Sequence, residues 1–369
     1  MGEWIVPVVA VLLVLLLLGI IAATKKGKNK KNEFDVLEYF KKHPDSVSCC
    51  FTENGRPIIS YRTDQKMPLA SVLKIMIAIE FIRQTKSGQI SPDQTVALDQ
   101  LDRYYIPLSD GGAHQDWLKE IQRGQSEQRQ TVTLLEVAEG MIKYSSNANT
   151  EYLISVLGME AINYTVAQIC GTEHDPIFPI SSAGLVGTYL MDKERSTLRE
   201  LQQRLAKMDF NEYQAISNEI LHKLSEDKQK SFIKRYNNRI SFNRELQIIA
   251  SRKMPASTTR LYATLFERLK QLDWFDDDAW QQFEHLMRRT VRKGSPFVQI
   301  LSKGGSSISI SNHVLYVKDR EGNWLSLALF IHDTSRKEFR WLKKNISLFV
   351  QRLFIDQSFR ARVAQELKG

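Results

Sequence analysis

The stretch PLASVLKIMIAIEF, residues 68–81, decides the fold of this chain. From Ser71 onward its apolar residues fall on nearly every face of a helix, which is the pattern of a helix buried in the middle of a domain. Ser71 and Lys74 stand at positions i and i+3, so the helix places them on one face, one turn apart. The segment therefore combines a core helix with two polar side chains at its start.

Ser71 and Lys74 could act together as a nucleophile and its base. Free backbone N–H groups and the positive end of the helix dipole lie near the serine oxygen at a helix start. A lysine in an apolar helix loses hydration, which lowers the pKa of its ammonium, and the neutral amine can then accept the proton of a hydroxyl. The alternative is that Ser71 caps the helix and Lys74 extends to the surface.

Two later segments carry polar residues that suit the same chemistry. In YSSN, residues 144–147, Ser145 could relay a proton to a leaving group and Asn147 could hold a substrate amide, unless the segment is only a helix cap. The segment KGG, residues 303–305, ends one predicted strand and leads into the next. Lys303 supplies positive charge for a carboxylate, and the glycines leave room for a substrate along the strand edge. The alternative for this segment is a β-bulge or a tight turn.

The order S-x-x-K, S-x-N, K-x-G resembles the serine β-lactamase and penicillin-binding protein superfamily, and most of all the class A β-lactamases. The resemblance covers residues 46–369 apart from a charged insert. It implies an α+β fold of three layers, α/β/α, in which an antiparallel sheet carries helices on both faces beside a helical lobe. No cofactor is expected, and no metal, because the sequence contains no CxxC or Cys/His spacing of a zinc site.

The same resemblance assigns roles within the site. It makes Ser71 the nucleophile, Lys74 its base and Ser145 the proton shuttle. The oxyanion would be held by the backbone N–H groups of Ser71 and Ser306. The residues expected to bind the substrate are Asn147, Lys303, Gly305 and Ser306.

The sequence departs from the family pattern at three places. The usual S-D-N reads SSN, and the usual K-T-G reads KGG, which removes a hydroxyl worth about 1 to 2 kcal/mol of hydrogen bonding to a substrate carboxylate. The E-x-x-L-N run, whose glutamate activates the deacylating water, is missing. The corresponding loop reads GTEHDPIFP, residues 171–179, where Glu173 or Asp175 could stand in. Before the SSN segment, Asp110 and His114 could shape substrate choice, although a plain turn is the alternative.

The rest of the pattern predicts strands near both ends of the chain with helices between them, and hence a sheet whose first and last parts meet. A charged stretch at 192–253 has helical spacing and reads as an inserted helical group, which could be a lid, a partner site or a solvated decoration. The other predicted elements are a helix at Phe34–Lys42, a hairpin at 46–62, two helices at 131–170, one at 258–272, strands at Phe297–Leu301, Ser306–Val317 and Trp324–His332, and a closing helix at 339–367.

Residues 5–23 carry no charge and span roughly 28 Å as a helix, enough for one transmembrane segment. The lysines of Lys25–Lys31 follow this span and, by the positive-inside rule, favour a cytoplasmic domain. The family resemblance favours the opposite side, so we expect a single-pass protein of the cell membrane with an extracytoplasmic catalytic domain. The expected division is a transmembrane anchor at 1–24, a basic linker with the start of the first helix at 25–45, and a β-lactamase-like domain at 46–369 with the helical insertion at 192–253.

Composition limits the class of protein. The chain has 369 residues, 43% of them hydrophobic and 25% charged, which is typical of a globular protein and excludes disorder. Much of its net charge of +9 lies in the linker, so no nucleic-acid partner is expected. Three cysteines exclude a disulfide framework. Of the adjacent pair Cys49 and Cys50, one is expected to be buried and the other exposed, because neighbours on a strand face opposite sides.

Together these observations predict a membrane-anchored serine hydrolase that forms an acyl-enzyme on Ser71. Its substrates would be β-lactams or related D-Ala-D-Ala-like amides and esters, so β-lactamase, carboxypeptidase and esterase activities stay open, and the missing glutamate favours slow release. The expected partners are a small-molecule or peptidoglycan-like substrate and the membrane, through residues 5–23; the oligomeric state is left open. The alternative is a catalytically inactive domain of this fold that serves as a membrane-tethered binding or scaffold module.

Overall fold

The computed structural model describes residues 33–124 and 127–368. The predicted membrane span at 5–23 and the lysines at 25–31 lie outside the described residues. Within the described part, no single helix is long and apolar enough to cross a membrane. By length and composition alone, one pair of helices bent by 92° passes that test together, Asn147–Leu157 with Met159–Glu173.

An antiparallel sheet of five strands brings the two ends of the described chain together. The described residues form nine strands in all, five in this sheet and four in short ladders. They are β1 Val47–Glu53, β2 Arg56–Tyr61, β3 Met67–Pro68, β4 Thr95–Ala97, β5 Thr131–Thr133, β6 Ala256–Ser257, β7 Phe297–Ser306, β8 Ser311–Asp319 and β9 Trp324–Ile331. The main sheet has the order β2-β1-β9-β8-β7, and β3-β6 and β4-β5 form two short ladders. In β1 and β9, Val47 pairs with Ile331 and Cys49 with Leu329. The predicted meeting of the first and last strands is confirmed.

Helices cover both faces of this sheet. They are α1 Glu33–Lys42, α2 Lys74–Lys86, α3 Leu98–Asp102, α4 Ala113–Ile121, α5 Leu134–Glu139, α6 Asn147–Leu157, α7 Met159–Cys170, α8 Ile180–Ala183, α9 Val186–Lys193, α10 Leu198–Lys207, α11 Phe210–Glu226, α12 Ser231–Tyr236, α13 Arg244–Arg252, α14 Thr259–Ala263, α15 Leu265–Leu269, α16 Asp277–Met287, α17 Arg336–Ile355 and α18 Gln357–Glu366. One hydrophobic cluster packs α1, α17 and α18 on one face of the sheet. A larger cluster, centred on α2, fills the space between the other face and the remaining helices.

The adjacent cysteines of β1 correct one expectation. Cys49 belongs to the cluster with Val36 and Phe349, and Cys50 belongs to the opposite cluster with Ile79. Both cysteines are buried. The prediction that one of them is exposed is wrong because each face of the sheet is covered by its own helices, so the alternation along β1 directs its side chains into two cores.

Several predicted boundaries also shift. The KGG segment does not end its strand: β7 continues through it to Ser306, and the turn to β8 follows at 307–310. The region 131–170 holds three α-helices instead of two, since a π-turn at Gly140–Tyr144 separates α5 from α6. The closing helix is broken at Asp356, whose carboxylate accepts the backbone N–H of Phe359 at 2.9 Å and caps α18. The predicted helix at 258–272 is two short helices, α14 and α15.

The charged stretch folds as the helical group, the name used here for α10–α13, residues 198–252. Its helices are amphipathic, as predicted, and Thr197 opens the first of them with a capping box to Glu200. The apolar faces of the group join the large cluster through buried residues such as Leu201, Tyr213 and Ile220. The group is therefore packed on the core, and only its outer face is solvated.

Candidate active site

The segment before Ser71 is held in a strained conformation. Ala70 has φ +47°, in the left-handed region, which costs a non-glycine residue on the order of 1 to 3 kcal/mol. The side-chain amide of Asn312 in β8 donates to the carbonyl oxygens of Pro68 at 2.7 Å and Leu69 at 3.1 Å. The short 3₁₀ turn Ala70–Leu73 then leads into α2. These contacts fix the backbone so that Ser71 lines a cavity.

Lys74 is fully buried at the start of α2, so the alternative that it extends to the surface is wrong. Its Nζ donates to the carbonyl oxygen of Ser145 at 2.7 Å and to Oδ1 of Asn147 at 2.8 Å, and lies 3.3 Å from Oγ of Ser145. Burial lowers the pKa of Lys74 from 10.5 to about 7, although the negative charges of Asp110 and Glu151 oppose that shift. Among the described residues, no hydrogen bond joins Lys74 to Ser71.

Ser145 lies between two lysines. Its φ of +72° is left-handed, at the end of the π-turn, and Nζ of Lys303 donates to its Oγ at 2.8 Å. The capping role belongs to the next residue, because Oγ of Ser146 accepts the backbone N–H of Asn149 at 3.2 Å. The Ser145 hydroxyl is therefore left to contact the two lysines across the site.

β7 brings the KGG segment against the Ser71 turn. A Cβ atom at Gly305 would overlap the carbonyl oxygen of Leu69 and would lie 3.1 Å from the backbone nitrogen of Ser71. This close approach therefore requires a glycine at position 305. The sequence predicted that the glycines leave room for a substrate, whereas at Gly305 the space is filled by the backbone of the Ser71 turn. Ser306 follows on the exposed side of the strand and lines the cavity. Lys303 is buried, and its pKa lies well below the usual value because of burial and the nearby charges of Lys74 and Arg289.

Arg289 is a residue of the site that the sequence did not reveal. Its guanidinium donates to the carbonyl oxygens of Lys143 at 2.8 Å and Ile142 at 3.0 Å, and also to the carbonyl oxygen of Ser302 at 3.0 Å. It therefore ties β7 to the π-turn that presents Ser145. The sequence gives no signal for this role, since Arg289 stands in a basic run that resembles an ordinary solvated surface.

These residues surround a cavity of about 860 Å³. Ser71, Ser145, Asn147, Lys303, Gly305 and Ser306 all line it, and Lys74 lies behind Ser145 and Asn147. Among the described residues that line it, Asp110 is the only carboxylate, against the cations of Lys143, Arg289, Lys303 and Lys343. The cavity is therefore suited to an anionic ligand.

The Asp110 carboxylate is already engaged by backbone donors. It accepts the N–H groups of Gly112 and His114, each at 3.1 Å, and that of Asn147 at 3.3 Å. His114 is buried outside the cavity lining, where its Nδ1 bonds Oγ of Ser146 at 2.9 Å. Asp110 thus faces the cavity, whereas His114 supports the SSN segment from behind.

The two acids considered as water activators lie elsewhere. Glu173 forms an ion pair with Arg268, and Asp175 accepts from Lys66 at 2.7 Å; neither lines the cavity. Behind the cavity wall, the buried carboxylate of Glu151 accepts the N–H of Ser181 at 2.8 Å and the hydroxyl of Ser182 at 2.7 Å. Burial raises the pKa of Glu151. Among the described residues, no free carboxylate stands beside Ser71 in the cavity.

Three features meet at this cavity. They are the strained turn that carries Ser71, the Ser145 hydroxyl between two lysines, and the edge strand β7 with its KGG segment. Residues 31–175 match the sequence model of a family described as the β-lactamase enzyme family. This chain has the serine β-lactamase and penicillin-binding protein fold. The predicted resemblance to that superfamily is confirmed, and with it the mixed α/β architecture around an antiparallel sheet.

Solved structures show the same fold over most of the chain. A mutant of PBP-A, captured as an acyl-enzyme complex with penicillin G, is 16% identical with a TM-score of 0.51 and covers 87% of this chain and 95% of its own. A β-lactamase from Sphaerobacter thermophilus is 14% identical, with a TM-score of 0.50, covering 86% of this chain and 89% of its own. The TLA-3 extended-spectrum β-lactamase is 12% identical, with a TM-score of 0.50, covering 90% of this chain and 96% of its own. No curated protein matches the sequence.

Proposed function

We propose that this chain is a serine hydrolase that forms an acyl-enzyme on Ser71 with β-lactams or related D-Ala-D-Ala-like amides and esters. The observation that carries the proposal is the Ser145 hydroxyl, which lies between Lys74 and Lys303 in the cavity that Ser71 lines. Such a hydroxyl can pass a proton between a base and a leaving group. Lys303 supplies the charge that holds a substrate carboxylate.

In the proposed reaction, Oγ of Ser71 attacks the carbonyl carbon while the neutral amine of Lys74 accepts the hydroxyl proton. The neutral amine can keep donating its two N–H groups to Ser145 and Asn147 while its lone pair accepts from Ser71, once the two side chains come within hydrogen-bond distance as the substrate binds. The backbone N–H groups of Ser71 and Ser306 stabilise the oxyanion. Collapse breaks the bond to the leaving group, which receives the proton from Lys74 through Ser145.

The same geometry supports slow release of the acyl group. Hydrolysis of an acyl-enzyme needs a base that can activate water. The only carboxylate lining the described cavity, Asp110, is occupied by three backbone donors. Among the activities left open by the sequence, we therefore favour covalent capture of penicillins, as in a penicillin-binding protein, over their rapid turnover.

The test uses the full chain in detergent and a fluorescent penicillin. We expect a covalent adduct with the mass of the intact probe, stable for many minutes, and no multiple turnover of a chromogenic cephalosporin. Ser71→Ala should abolish labelling, whereas Ser225→Ala, at a partly exposed serine on the helical group, should leave it unchanged. Equal labelling of the wild type and Ser71→Ala would refute the proposal.

The alternative, an inactive domain that serves as a scaffold, is favoured by two observations. The motifs read SSN and KGG where the family has S-D-N and K-T-G, and in the described part of the chain Lys74 makes no hydrogen bond to Ser71. An inactive domain would remain unlabelled by both the fluorescent penicillin and a fluorophosphonate. Labelling that depends on Ser71 excludes this alternative.

We further propose that residues 5–23 anchor the protein in the cell membrane and that the domain lies outside the cytoplasm, against the preference of the lysines at 25–31. Fusions of the full chain to alkaline phosphatase and to green fluorescent protein at its C-terminus test this orientation. Phosphatase activity of the first fusion, together with absent fluorescence of the second, supports the proposal. The opposite pattern places the domain in the cytoplasm and removes cell-wall substrates from its reach.

A further inference from the structure

The helical group forms a wall of the cavity that none of the three motifs supplies. Residues of the group that line the cavity include Asn237, Ser241, Phe242 and Gln247. The wall is joined to the loop before Asp110, because the side-chain amide of Asn237 donates to the carbonyl oxygen of Pro107 at 3.2 Å. The group is therefore part of the cavity, and its side chains can contact a bound substrate.

Each of the two segments joined by this hydrogen bond also carries one large apolar side chain that is exposed. Leu108, next to Pro107, is 74% exposed, and Phe242, just beyond Asn237, is 43% exposed; both line the cavity. The other large apolar residues that are exposed in the described chain, such as Tyr164, lie outside the lining. Exposed apolar side chains that line a cavity are typical of a ligand contact.

The backbone at Leu108 supports this interpretation. Its φ of +67° lies in the left-handed region, which a leucine adopts only at a cost. The backbone N–H of Ser109 donates to the carbonyl oxygen of Ile106 at 3.2 Å, so Leu108 is the third residue of a β-turn, at a position where a positive φ normally selects glycine or asparagine. A leucine there, with a largely exposed side chain, gains little from packing. Strain of this kind concentrates at ligand contacts, where a side chain must be presented in one direction.

We propose that Leu108 and Phe242 form an apolar lip that selects acyl donors carrying an extended alkyl or aryl substituent on the acyl group. The inference rests on the proposed function and adds a substrate class to it. The cations of Lys303 and Arg289 hold the anionic part of the substrate inside the cavity, and the lip holds the apolar part at the mouth. The preferred substrate is thus amphiphilic, with an apolar acyl group.

The test compares two 4-nitrophenyl esters, the acetate and the 4-phenylbutyrate, with the full chain in detergent. The first-turnover burst of nitrophenolate gives the acylation rate constant for each ester, divided by its reactivity toward hydroxide. We expect the phenylbutyrate to acylate the wild type about tenfold faster or more, since one buried apolar group contributes about that factor.

Variants of the lip residues test whether they select the acyl group of the substrate or only support the structure of the site. Phe242→Ser and Leu108→Ser should each slow the phenylbutyrate by roughly fivefold to tenfold and the acetate by less than about twofold. Phe242→Leu keeps an apolar side chain and should retain most of the preference. Tyr164→Ser, on α7 and outside the lining, is the matched control for loss of an exposed aromatic residue and should behave as the wild type.

The outcomes distinguish the two proposals. A burst that depends on Ser71 but shows no preference for the phenylbutyrate overturns the lip and leaves the hydrolase standing. So does an equal loss of both esters in Phe242→Ser and Leu108→Ser, which indicates a structural role. The absence of any Ser71-dependent burst with either ester, together with absent penicillin labelling, overturns the proposed function itself.

Discussion

The base of the proposed reaction is a lysine that forms no ion pair among the described residues. Lys74 is buried, and its pKa is lowered to about 7, so near neutral pH a large share of it is the neutral amine that can accept the proton of Ser71. We predict that the rate of penicillin labelling rises with pH, reaches half its maximum near pH 7 and levels off by about pH 9. The measurement is the second-order labelling rate between pH 5.5 and 9.

Lys143 provides a matched control for the pH profile. It also lines the cavity, but it is half-exposed and paired with Glu139. Lys143→Met should keep the profile of the wild type, and Lys74→Met should remove labelling at every pH. A labelling rate that does not vary over this range contradicts the assignment of Lys74 as the base.

Lys303 leads to a second prediction at the residue scale. Its ammonium is disfavoured by burial and by the neighbouring charges of Lys74 and Arg289, and a substrate carboxylate would relieve that cost. We predict that Lys303→Met slows labelling by a penicillin about tenfold to a hundredfold more than labelling by the methyl ester of the same penicillin. The ratio of the two rates is the measurement, because loss of the contact to Ser145 affects both probes. An unchanged ratio rules out Lys303 as the carboxylate anchor.

The spacing of the motifs was sufficient to nominate these residues, and the structure brings them to one cavity. The sequence could not show which partners Lys74 takes, because Ser145 and Asn147 come from a segment about 70 residues away. Helical spacing suggested a direct contact with Ser71, whereas the tertiary contacts direct the amine elsewhere. The role of Arg289 could not be predicted for a similar reason, because it depends on carbonyl groups of a turn far away in sequence.

At the scale of elements, the packing of β7 on the Ser71 turn predicts opposite outcomes for two adjacent glycines. A methyl group at Gly305 would overlap the carbonyl oxygen of Leu69 and would lie 3.0 Å from the nitrogen of Val72, so Gly305→Ala must push the strand away from the nucleophile. At Gly304 the nearest atom is the carbonyl oxygen of Asn312 at 3.6 Å, an ordinary contact. We predict that Gly305→Ala reduces penicillin labelling at least a hundredfold and destabilises the fold by about 1 to 3 kcal/mol.

Gly304→Ala is the control for this prediction, with labelling within about threefold of the wild type and unchanged thermal unfolding. Labelling rates and melting temperatures of the two variants make the comparison. If Gly305→Ala labels as fast as Gly304→Ala, β7 does not approach the Ser71 turn as closely as described.

Sequence periodicity identified most elements but not their breaks. The hairpin, the buried helix α2 and the last three strands follow directly from alternation and helical spacing. The predicted end of β7 is wrong because glycine pairs commonly mark turns, whereas here Gly305 allows a close approach to the backbone of another element. The break in the closing helix depends on a side-chain cap by Asp356, which periodicity does not report.

At the scale of the whole molecule, the two cores were only partly predictable. The sequence indicated a sheet that joins the two ends of the chain, yet it assigned one face of β1 to solvent. Whether a strand has one covered face or two depends on helices far away in sequence, here α1 with α17 on one side and α2 on the other. The same holds for the helical group, whose charged residues suggested a solvated addition while its apolar residues complete the large core.

The folding equilibrium of the whole molecule should record the burial of Lys74. Between pH 7 and 10.5 the unfolded chain carries a proton on this lysine that the folded chain lacks, because burial lowers the pKa from 10.5 to about 7. The contribution of Lys74 to the free energy of unfolding therefore rises with pH through this window. The cost of burying its ammonium is greatest below pH 7. In Lys74→Met the contribution is absent. We predict that the wild type gains about 2 kcal/mol of stability relative to Lys74→Met between pH 7 and pH 9.

Denaturant unfolding of both proteins at several pH values measures this difference, in which the other titrating groups largely cancel. Lys143→Met, which removes a half-exposed lysine, should show a difference from the wild type that does not change over the same interval. A constant difference for Lys74→Met would mean that the folded protein keeps the ammonium charged, and the neutral base required for acylation would then be lost. The stability measurement thus tests the chemistry of the site without any substrate, because the burial that makes Lys74 a base is the same burial that costs the fold free energy at low pH.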